Sequence, residues 1–426
     1  MKIEGARILV VGMEKSGRAA FEFLNARDAD VTPTDLKPQD AAGFRLQTDE
    51  LFAEDWDLIV LSPGVPTDLP GLEAARARGV DVIGEVELAA PYLNGPVIGI
   101  TGSNGKTTTT SLVGHILASA GKPVQVGGNI GRPVIAMTAT SRADQWNVLE
   151  LSSFQLETIR TFRAHVGVCL NVTQNHLDRH HTFERYTAAK GNLFRTQIAE
   201  DYAVLNADDE VCRAFERITP AQVVWFSGRD VGELMPPGDI PIPGAHNAEN
   251  VMAAAAAGRI AGLNNREIAA AVRTFKAVEH RLEFVAEIGG VRFYNDSKAT
   301  SVDATMKALD SFNGNLWVIL GGKDKGSDYR SLRELLHRKA RAALLIGAAS
   351  EKIASHLEGA TTLVRAETLE RATAEAAKRA QPGDTILLAP ACASFDQFQS
   401  YEHRGQVFKE LVRQLGERRI NNGTAA

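Results

Sequence analysis

Cysteine is scarce in this chain of 426 residues: Cys169, Cys212 and Cys392 are the whole supply, far apart in sequence and without a C-x-x-C pair. That usage favours buried free thiols over disulfides or zinc ligands, the more so because two of the three sit in apolar, strand-like runs. Long hydrophobic runs are lacking too. None approaches the ~18 residues a membrane helix requires, so no membrane insertion is expected. The opening "MKIEGARILVVG" puts charge and glycine where a signal peptide would carry its apolar stretch, which points to a cytoplasmic protein. Nor is there an excess of positive charge. With 47 Lys and Arg against 52 Asp and Glu the net charge is -5, and no general electrostatic reason exists to bind nucleic acid.

What is present is a soluble globular composition, 44% hydrophobic and 23% charged. At about 150 residues per domain the length suggests roughly three domains. Short β-branched runs alternate with helical patterns: "RILVVG", "DLIVLS", "PVIGITG", "NVLELS", "VGVCLNV", "YAVLNAD", "LWVILGG", "AALLIG" and "DTILLAP". Such alternation predicts an α/β protein with parallel sheets covered by helices. The rhythm breaks near "PYLNGP" and near "FKAVEHRLE", where an alanine-rich helical stretch gives way to the hairpin-like "RLEFVAEIGGVRFYND". Domains are therefore expected over residues 1–92, 93–277 and 278–426. No repeat, low-complexity tract or long linker appears, and the tail "ERRINNGTAA" is expected to fray.

Two strand, glycine-turn and helix patterns could each hold phosphate. The first, in "ILVVGMEKSGRAAFEFL", departs from the dinucleotide fingerprint G-x-G-x-x-G, because Glu14 stands where the middle glycine lets a pyrophosphate approach. Asp35 follows near the end of the next strand, where an acid meets a ribose hydroxyl, so a nucleotide and a plain tight turn both remain open readings. The second, "TGSNGKTT", is sharper. Backbone N–H groups of residues 102–106, including Gly102, Asn104 and Gly105, can line one concavity at the positive end of a helix. Lys106 can reach outer phosphates and Thr107 or Thr108 can bind Mg2+. Ile100 holds the place of the first glycine of the strict motif G-x-x-x-x-G-K-[ST].

A phosphate loop alone does not distinguish hydrolase, kinase, ligase or switch. Beyond it, Glu150 stands at a strand end in "NVLELSSFQLE", and His176 and Lys190 follow in "LNVTQNHLDRHHTFERYTAAK". A carboxylate and an imidazole at strand ends beside a phosphate loop suit a divalent metal. Zinc on His176 and His180, four apart, is the alternative, although no third ligand follows at zinc-site spacing.

The blocks "GITGSNGKTT", "GGNIG", "LELSSFQLE", "LNVTQNHLDRH", "NADD", "HNAEN", "NDSKATS", "LGGKDKGSDY" and "PACASFDQF", in this order, resemble the ATP-dependent Mur ligases of bacterial peptidoglycan synthesis. "SPGV" and "GEVEL" in the opening segment also fit. The resemblance is closest to the D-glutamate-adding branch. It implies a Rossmann-like N-terminal domain for the uridine nucleotide, a central P-loop ATPase domain with a mainly parallel sheet, and a Rossmann-like C-terminal domain for the incoming amino acid. It further implies an amide ligase that joins D-glutamate to UDP-N-acetylmuramoyl-L-alanine through an acyl phosphate, working as a monomer.

Residue by residue, the resemblance implies that Gly102, Asn104, Gly105, Lys106, Thr107, Thr108, Asn247, Asn250, Arg281 and Asp296 contact ATP, with Arg281 reaching the γ-phosphate. Two Mg2+ ions would be held by Thr107, Glu150, His176 and a carbamylated Lys190, with Lys106, His176 and Lys190 as the catalytic set. Lys15, Ser16, Asp35, Lys37, Gly64 and Asn129 would contact the UDP substrate. Lys298, Thr300, Lys325, Ser394 and Tyr401 would bind D-glutamate, and their cations and hydroxyls suit two carboxylates. On spacing alone Lys190 reads as an ordinary exposed helical lysine and Lys325 as a solvated loop lysine. Only the resemblance reverses both readings.

Three departures bear on amino-acid specificity: Ser301 replaces a frequent asparagine, Lys323 a frequent aspartate, and Tyr401 stands where an apolar aromatic can occur. The rivals are a related ligase for alanine, a diamino acid, a dipeptide or folate glutamylation, and a non-catalytic ATP-dependent switch. The D-N-P-R motif of diamino-acid-adding relatives is absent, "PACASFDQF" favours D-glutamate, and the set Lys106, Glu150, His176 and Lys190 argues against a switch.

Overall fold

A computed structural model describes residues 3–244 and 246–423, with side chains as far as residue 418. The chain forms two compact units, Met1–Asp239 with Ala248–Arg273, and Ile240–Asn247 with Thr274–Ala426. The architecture is multidomain α/β.

The first unit holds two sheets, every pairing in them parallel. One contains β1 (Arg7–Val11), β2 (Asp30–Asp35), β3 (Arg45–Leu46), β4 (Leu58–Leu61) and β5 (Asp81–Gly84), in the order β3-β2-β1-β4-β5. The other contains β6 (Val97–Thr101), β7 (Val124–Gly128), β8 (Trp146–Glu150), β9 (Val166–Cys169), β10 (Tyr202–Asn206) and β11 (Gln222–Phe226), in the order β11-β10-β9-β6-β8-β7. Chain order diverges to either side of β1 and of β6. In open parallel sheets such divergence opens a crevice at the strands' C-terminal ends. Both glycine turns emerge there.

The second unit carries β12 (Glu283–Ile288), β13 (Val291–Asn295), β14 (Leu316–Gly321), β15 (Ala340–Ile346), β16 (Thr362–Glu367) and β17 (Thr385–Leu388), in the order β12-β13-β17-β14-β15-β16. Only β12 and β13 pair antiparallel, through a turn at Gly289 and Gly290, whose φ of 60° and 78° suit a two-residue hairpin. Along β14, Leu316, Val318 and Leu320 join one buried apolar cluster and Trp317 and Ile319 another, so both faces of the sheet are covered. The loops leaving β13, β17 and β14, three adjacent parallel strands, therefore emerge side by side.

Cys169, Cys212 and Cys392 are buried free thiols, and the Cys169 and Cys212 sulfurs lie 3.3 Å apart. The expected fraying of the tail does not begin at Glu417. A helix runs over Tyr401–Gly423, with Arg413 paired to Glu410 and Glu417 along it; residues 424–426 lie outside the described part. Among the described residues no helix is long and apolar enough to cross a membrane.

One buried carboxylate joins the two sheets of the first unit. Glu87, in the helix Glu85–Ala89 after β5, accepts the backbone N–H groups of Arg160 at 2.8 Å, Thr161 at 2.8 Å and Phe162 at 3.0 Å, and the Thr161 hydroxyl at 2.6 Å. A charge only 6% exposed is tolerated because these donors replace its water. Glu87→Ala strands them, and a loss of about 3–5 kcal/mol is expected in urea unfolding. A loss under about 1 kcal/mol would remove Glu87 from this role.

Candidate active site

The buried strand β6 ends at Thr101 and turns through residues 102–105 into the helix Lys106–Ser119. Gly105 caps that helix at φ 82°, and a Cβ there would lie 2.2 Å from Asn250 Oδ1, so only glycine fits. Asn171, just past β9, pins the loop from outside: its carbonyl accepts the Ser103 N–H at 2.8 Å and its Oδ1 the Asn104 N–H at 2.9 Å. The helix start has no side-chain cap and no acid in its first turn, which leaves its positive end open to an anion. Ile100 departs from the strict motif for a structural reason. It is still inside β6, in register with Glu150 on one side and Val168 on the other.

Two lysines converge on this loop. Lys106 folds back so that Nζ donates to the carbonyls of Gly102 at 2.7 Å and Ser103 at 3.1 Å. Lys190, in the helix Phe183–Arg195, is 1% exposed and donates to the same Gly102 carbonyl at 2.9 Å, with its amine 4.6 Å from the centre of the Tyr186 ring. It is not the exposed helical lysine that spacing alone suggests. Burial, then the Lys106 charge, push its amine far below the ordinary lysine range. Tyr186 also shares a 2.9 Å hydrogen bond with Ser103 Oγ. Its spacing of four from Lys190 on one helix was the available sequence signal.

Glu150, 2% exposed at the end of β8, accepts Asn129 Nδ2 at 2.8 Å through Oε1, while its buried Oε2 has no hydrogen-bond partner. A buried carboxylate oxygen left open beside a phosphate loop fits a hard divalent cation. His176 begins the helix Leu177–His180 in the left-handed region, φ 54°, with its ring edge-on to Phe154 at 4.9 Å. Partial desolvation, then Lys106 and Lys190, lower its pKa, so the neutral ring keeps a lone pair for a metal. His180 does not share that task. Its Nε2 meets Ser153 Oγ at 2.9 Å and its Nδ1 meets Glu157 Oε1 at 3.0 Å, so neither ring nitrogen is left for zinc.

The residues implied for the UDP substrate gather in the same unit. Gly12 has φ 85°, and a Cβ on Gly17 would lie 1.7 Å from the Gly12 carbonyl oxygen, so both glycines serve the tight strand-to-helix turn. Asp35 Oδ2 accepts the Met13 N–H at 2.7 Å and Oδ1 the Lys37 N–H at 3.2 Å. Lys15 and Lys37 are exposed and Ser16 is half-buried. Lys15 Nζ donates to Gly131 O, which brings the first glycine turn to the "GGNIG" loop and Asn129. Gly64 lies on the exposed turn after β4, where Arg179 donates to the neighbouring Val65 carbonyl at 2.7 Å.

In the second unit, Asp296 follows β13, 8% exposed, and burial raises its pKa to about 7 against the opposing charge of Arg281. Lys298 Nζ lies 5.4 Å from the centre of the Tyr401 ring. Thr300 is half-buried, Ser394 is buried and Lys325 is exposed. Asp324 orders the loop around Lys325, accepting Ser327 N–H at 3.1 Å, Tyr329 OH at 2.8 Å and Lys352 Nζ at 2.7 Å. Asn247 is buried, with Nδ2 donating to Pro243 O at 2.6 Å. Sequence reasoning passed over Asn171 and Lys352, whose partners are distant in the chain, and Asp324, which joins the near residues Ser327 and Tyr329 to the distant Lys352.

His180 supplies a pH test of the fold around the site. Burial lowers its pKa to about 4, against about 6.5 in an unfolded chain. Between those values the unfolded state binds a proton that the folded state refuses, so stability is full above pH 6.5 and falls as pH drops toward 4. Urea unfolding at pH 7 and pH 5 is expected to lose about 2 kcal/mol more in the wild type than in His180→Gln, a comparison that cancels other titrating groups. Equal losses in both would show that His180 is not held neutral.

Comparison with known proteins matches residues 100–235 to the Mur ligase middle domain and residues 280–392 to the Mur ligase, glutamate ligase domain. The UDP-N-acetylmuramoylalanine--D-glutamate ligase of Solibacter usitatus is 64% identical over 97% of this chain and 99% of its own. The corresponding ligase of Koribacter versatilis is 50% identical over 98% of this chain and 99% of its own. Of solved structures, UDP-N-acetylmuramate-alanine ligase from Thermotoga maritima has a TM-score of 0.60 at 18% identity, covering 96% of this chain and 99% of that one. A pseudomurein peptide ligase type C from Methanothermus fervidus has a TM-score of 0.56 at 19% identity, covering 96% and 100%. Those two bear on the fold alone. With near-complete coverage at such identity to curated relatives, and with both domain matches in order, the chain belongs to the Mur ligases, in the UDP-N-acetylmuramoylalanine--D-glutamate ligase family.

Proposed function

We propose that this protein joins D-glutamate to UDP-N-acetylmuramoyl-L-alanine at the expense of ATP, in peptidoglycan precursor synthesis. The observation that carries the reading is the convergence of Lys106 and Lys190 on the Gly102 carbonyl at an uncapped helix end, in the same unit as the open oxygen of Glu150. The activity named for the 64% identical relative supports the same reading. Residues 1–92 form the Rossmann-like uridine-nucleotide domain, 93–277 the P-loop domain and 278–426 the Rossmann-like amino-acid domain. The family resemblance implies a monomer working in the cytoplasm, and both belong to the same reading.

A carboxylate is a poor acyl donor to an amine because attack would expel oxide. The substrate carboxylate oxygen therefore takes the γ-phosphoryl group of ATP, releasing ADP. The D-glutamate nitrogen then attacks the acyl carbon, the C–O bond to phosphate breaks, and the amine loses a proton. The work is mostly positioning and charge neutralisation. Amides of residues 102–106 cradle phosphate oxygens, and Lys106 leaves its two carbonyls for the outer phosphates. Asn250 orients the nucleotide from the same unit, and the family resemblance implies nucleotide contacts for Asn247, Arg281 and Asp296 as well. Lys15, Ser16, Asp35, Lys37, Gly64 and Asn129 orient the UDP substrate; Lys298, Thr300, Lys325, Ser394 and Tyr401 hold D-glutamate. Thr107, Glu150, His176 and Lys190 hold two Mg2+, which when bound neutralise phosphate charge.

Lys190 serves as its carbamate. The buried neutral amine is the form that reacts with CO2, its nitrogen bonding to carbon as a proton leaves, and the product is an anionic oxygen ligand where an ammonium would repel Mg2+.

Phosphate release is expected only when ATP, UDP-N-acetylmuramoyl-L-alanine and D-glutamate are all present, with L-glutamate, L-alanine and diamino acids inactive. Phosphate release without amide formation would favour the switch, and equal turnover with L-alanine would overturn the amino-acid assignment. Lys190→Ala is expected to lose about 100-fold in activity and to regain part of it in high acetate, which supplies the missing oxygen ligand. Full activity of Lys190→Ala without bicarbonate would defeat the carbamate.

A further inference from the structure

The largest fully buried side chain among the described residues is a cation. Arg404, 0% exposed in the first turn of the helix Tyr401–Gly423, has no carboxylate within ion-pair distance among the described residues. Its fork is spent on loops. Nε donates to Ser297 Oγ at 2.9 Å, Nη2 to the carbonyls of Ser297 at 2.9 Å and Cys392 at 3.2 Å, and Nη1 to the Ala393 carbonyl at 3.4 Å. The Ala393 carbonyl also accepts the Lys323 N–H at 2.9 Å, and a Cβ on Gly322 would come within 3.2 Å of Nη1. Arg404 thus bonds directly to the loops that leave β13 and β17, and the loop that leaves β14 joins them through the Lys323 N–H on the shared Ala393 carbonyl.

Those loops carry Lys298 and Thr300, Ser394, and Lys325 respectively. Burying an unpaired cation is unfavourable, and burial pulls this guanidinium down to about 10. An apolar side chain of similar volume would avoid that cost but could not bridge carbonyls from separate loops, and lysine lacks the planar fork to do so. The arrangement makes sense as geometry retained against a stability cost.

We propose that Arg404 is the positioning residue of the amino-acid pocket, fixing the spacing of the three strand-end loops that hold D-glutamate. This rests on the assignment of those loops to D-glutamate. Ser297 is the partner through which the effect reaches Lys298, because its hydroxyl accepts from Arg404 and donates to the Tyr401 carbonyl at 2.8 Å.

The test is steady-state kinetics of the full-length enzyme with each substrate varied. Arg404→Lys keeps the charge and loses the fork. Its KM for D-glutamate is expected to rise roughly 10- to 100-fold with KM for ATP and for the UDP substrate unchanged, as displaced binding groups would produce. Ser297→Ala, a milder change should the first variant fail to fold, is expected to raise the same KM about 3- to 10-fold and no other. Arg404→Ala is expected to recover D-glutamate affinity in added guanidinium. Equal rises in all three KM values, or none in either of the first two variants, would overturn the inference. A wild-type enzyme that does not use D-glutamate would instead defeat the assignment beneath it.

Discussion

Two amino groups share one carbonyl oxygen, and the chemistry of the first unit depends on how that contact is resolved. Lys106 and Lys190 both donate to Gly102 O, at 2.7 and 2.9 Å. Two ammonium groups that close, one of them fully buried, repel each other with little water to screen them. Burial and the neighbouring Lys106 charge push the Lys190 amine far below the ordinary lysine range, which eases the conflict. Lys106 is half-buried. Lys190 is fixed on a helix and stripped of water. The shift at Lys190 follows from burial first and from the Lys106 charge second.

Parallel pairing then decides what can gather around that contact. Glu150 reaches it because β8 lies beside β6 in register, and Asn171 because β9 flanks it on the other side. The backbone is close-packed here: a Cβ on Gly128 would lie 2.4 Å from the Glu150 carbonyl oxygen. Glu87 holds residues 160–162 against the first sheet by the same logic used at the site, a buried charge whose water is replaced by aimed N–H groups.

How much of this was legible in the sequence follows from where each strand lies. All nine apolar runs picked out by composition are strands, and so is the hairpin β12–β13. The strands that escaped notice are β2, β3, β5, β7, β11 and β16. Five of these are sheet edges, and β2 lies next to the edge with Pro33 inside it. An edge strand half open to solvent needs no continuous apolar run: β16 reads "TLVRAE" and β11 "QVVWF" with Trp225 exposed. At the site, local motifs announced Gly105, Lys106 and Glu150. The burial of Lys190 was not legible because, although Tyr186 lies four residues away on the same helix, the Gly102 loop packs over the amine from a distant segment. Arg404 was invisible for the same reason, since nothing local distinguishes it from the exposed arginines further along its helix.

The three departures from the D-glutamate-adding pattern are also explained by neighbours. Ser301 caps the helix Val302–Asp310 by accepting the Ala304 N–H at 3.3 Å, a task asparagine performs equally well. Lys323 contributes its backbone N–H to the Ala393 carbonyl and leaves its side chain in solvent, so an aspartate there would make the same bridge. Tyr401 presents a ring face to the Lys298 ammonium, an attraction any benzene ring supplies. Each position is constrained in what it must present, a cap acceptor, an amide or a ring face, and free in the rest of the side chain. Variation at all three is therefore compatible with one unchanged pocket.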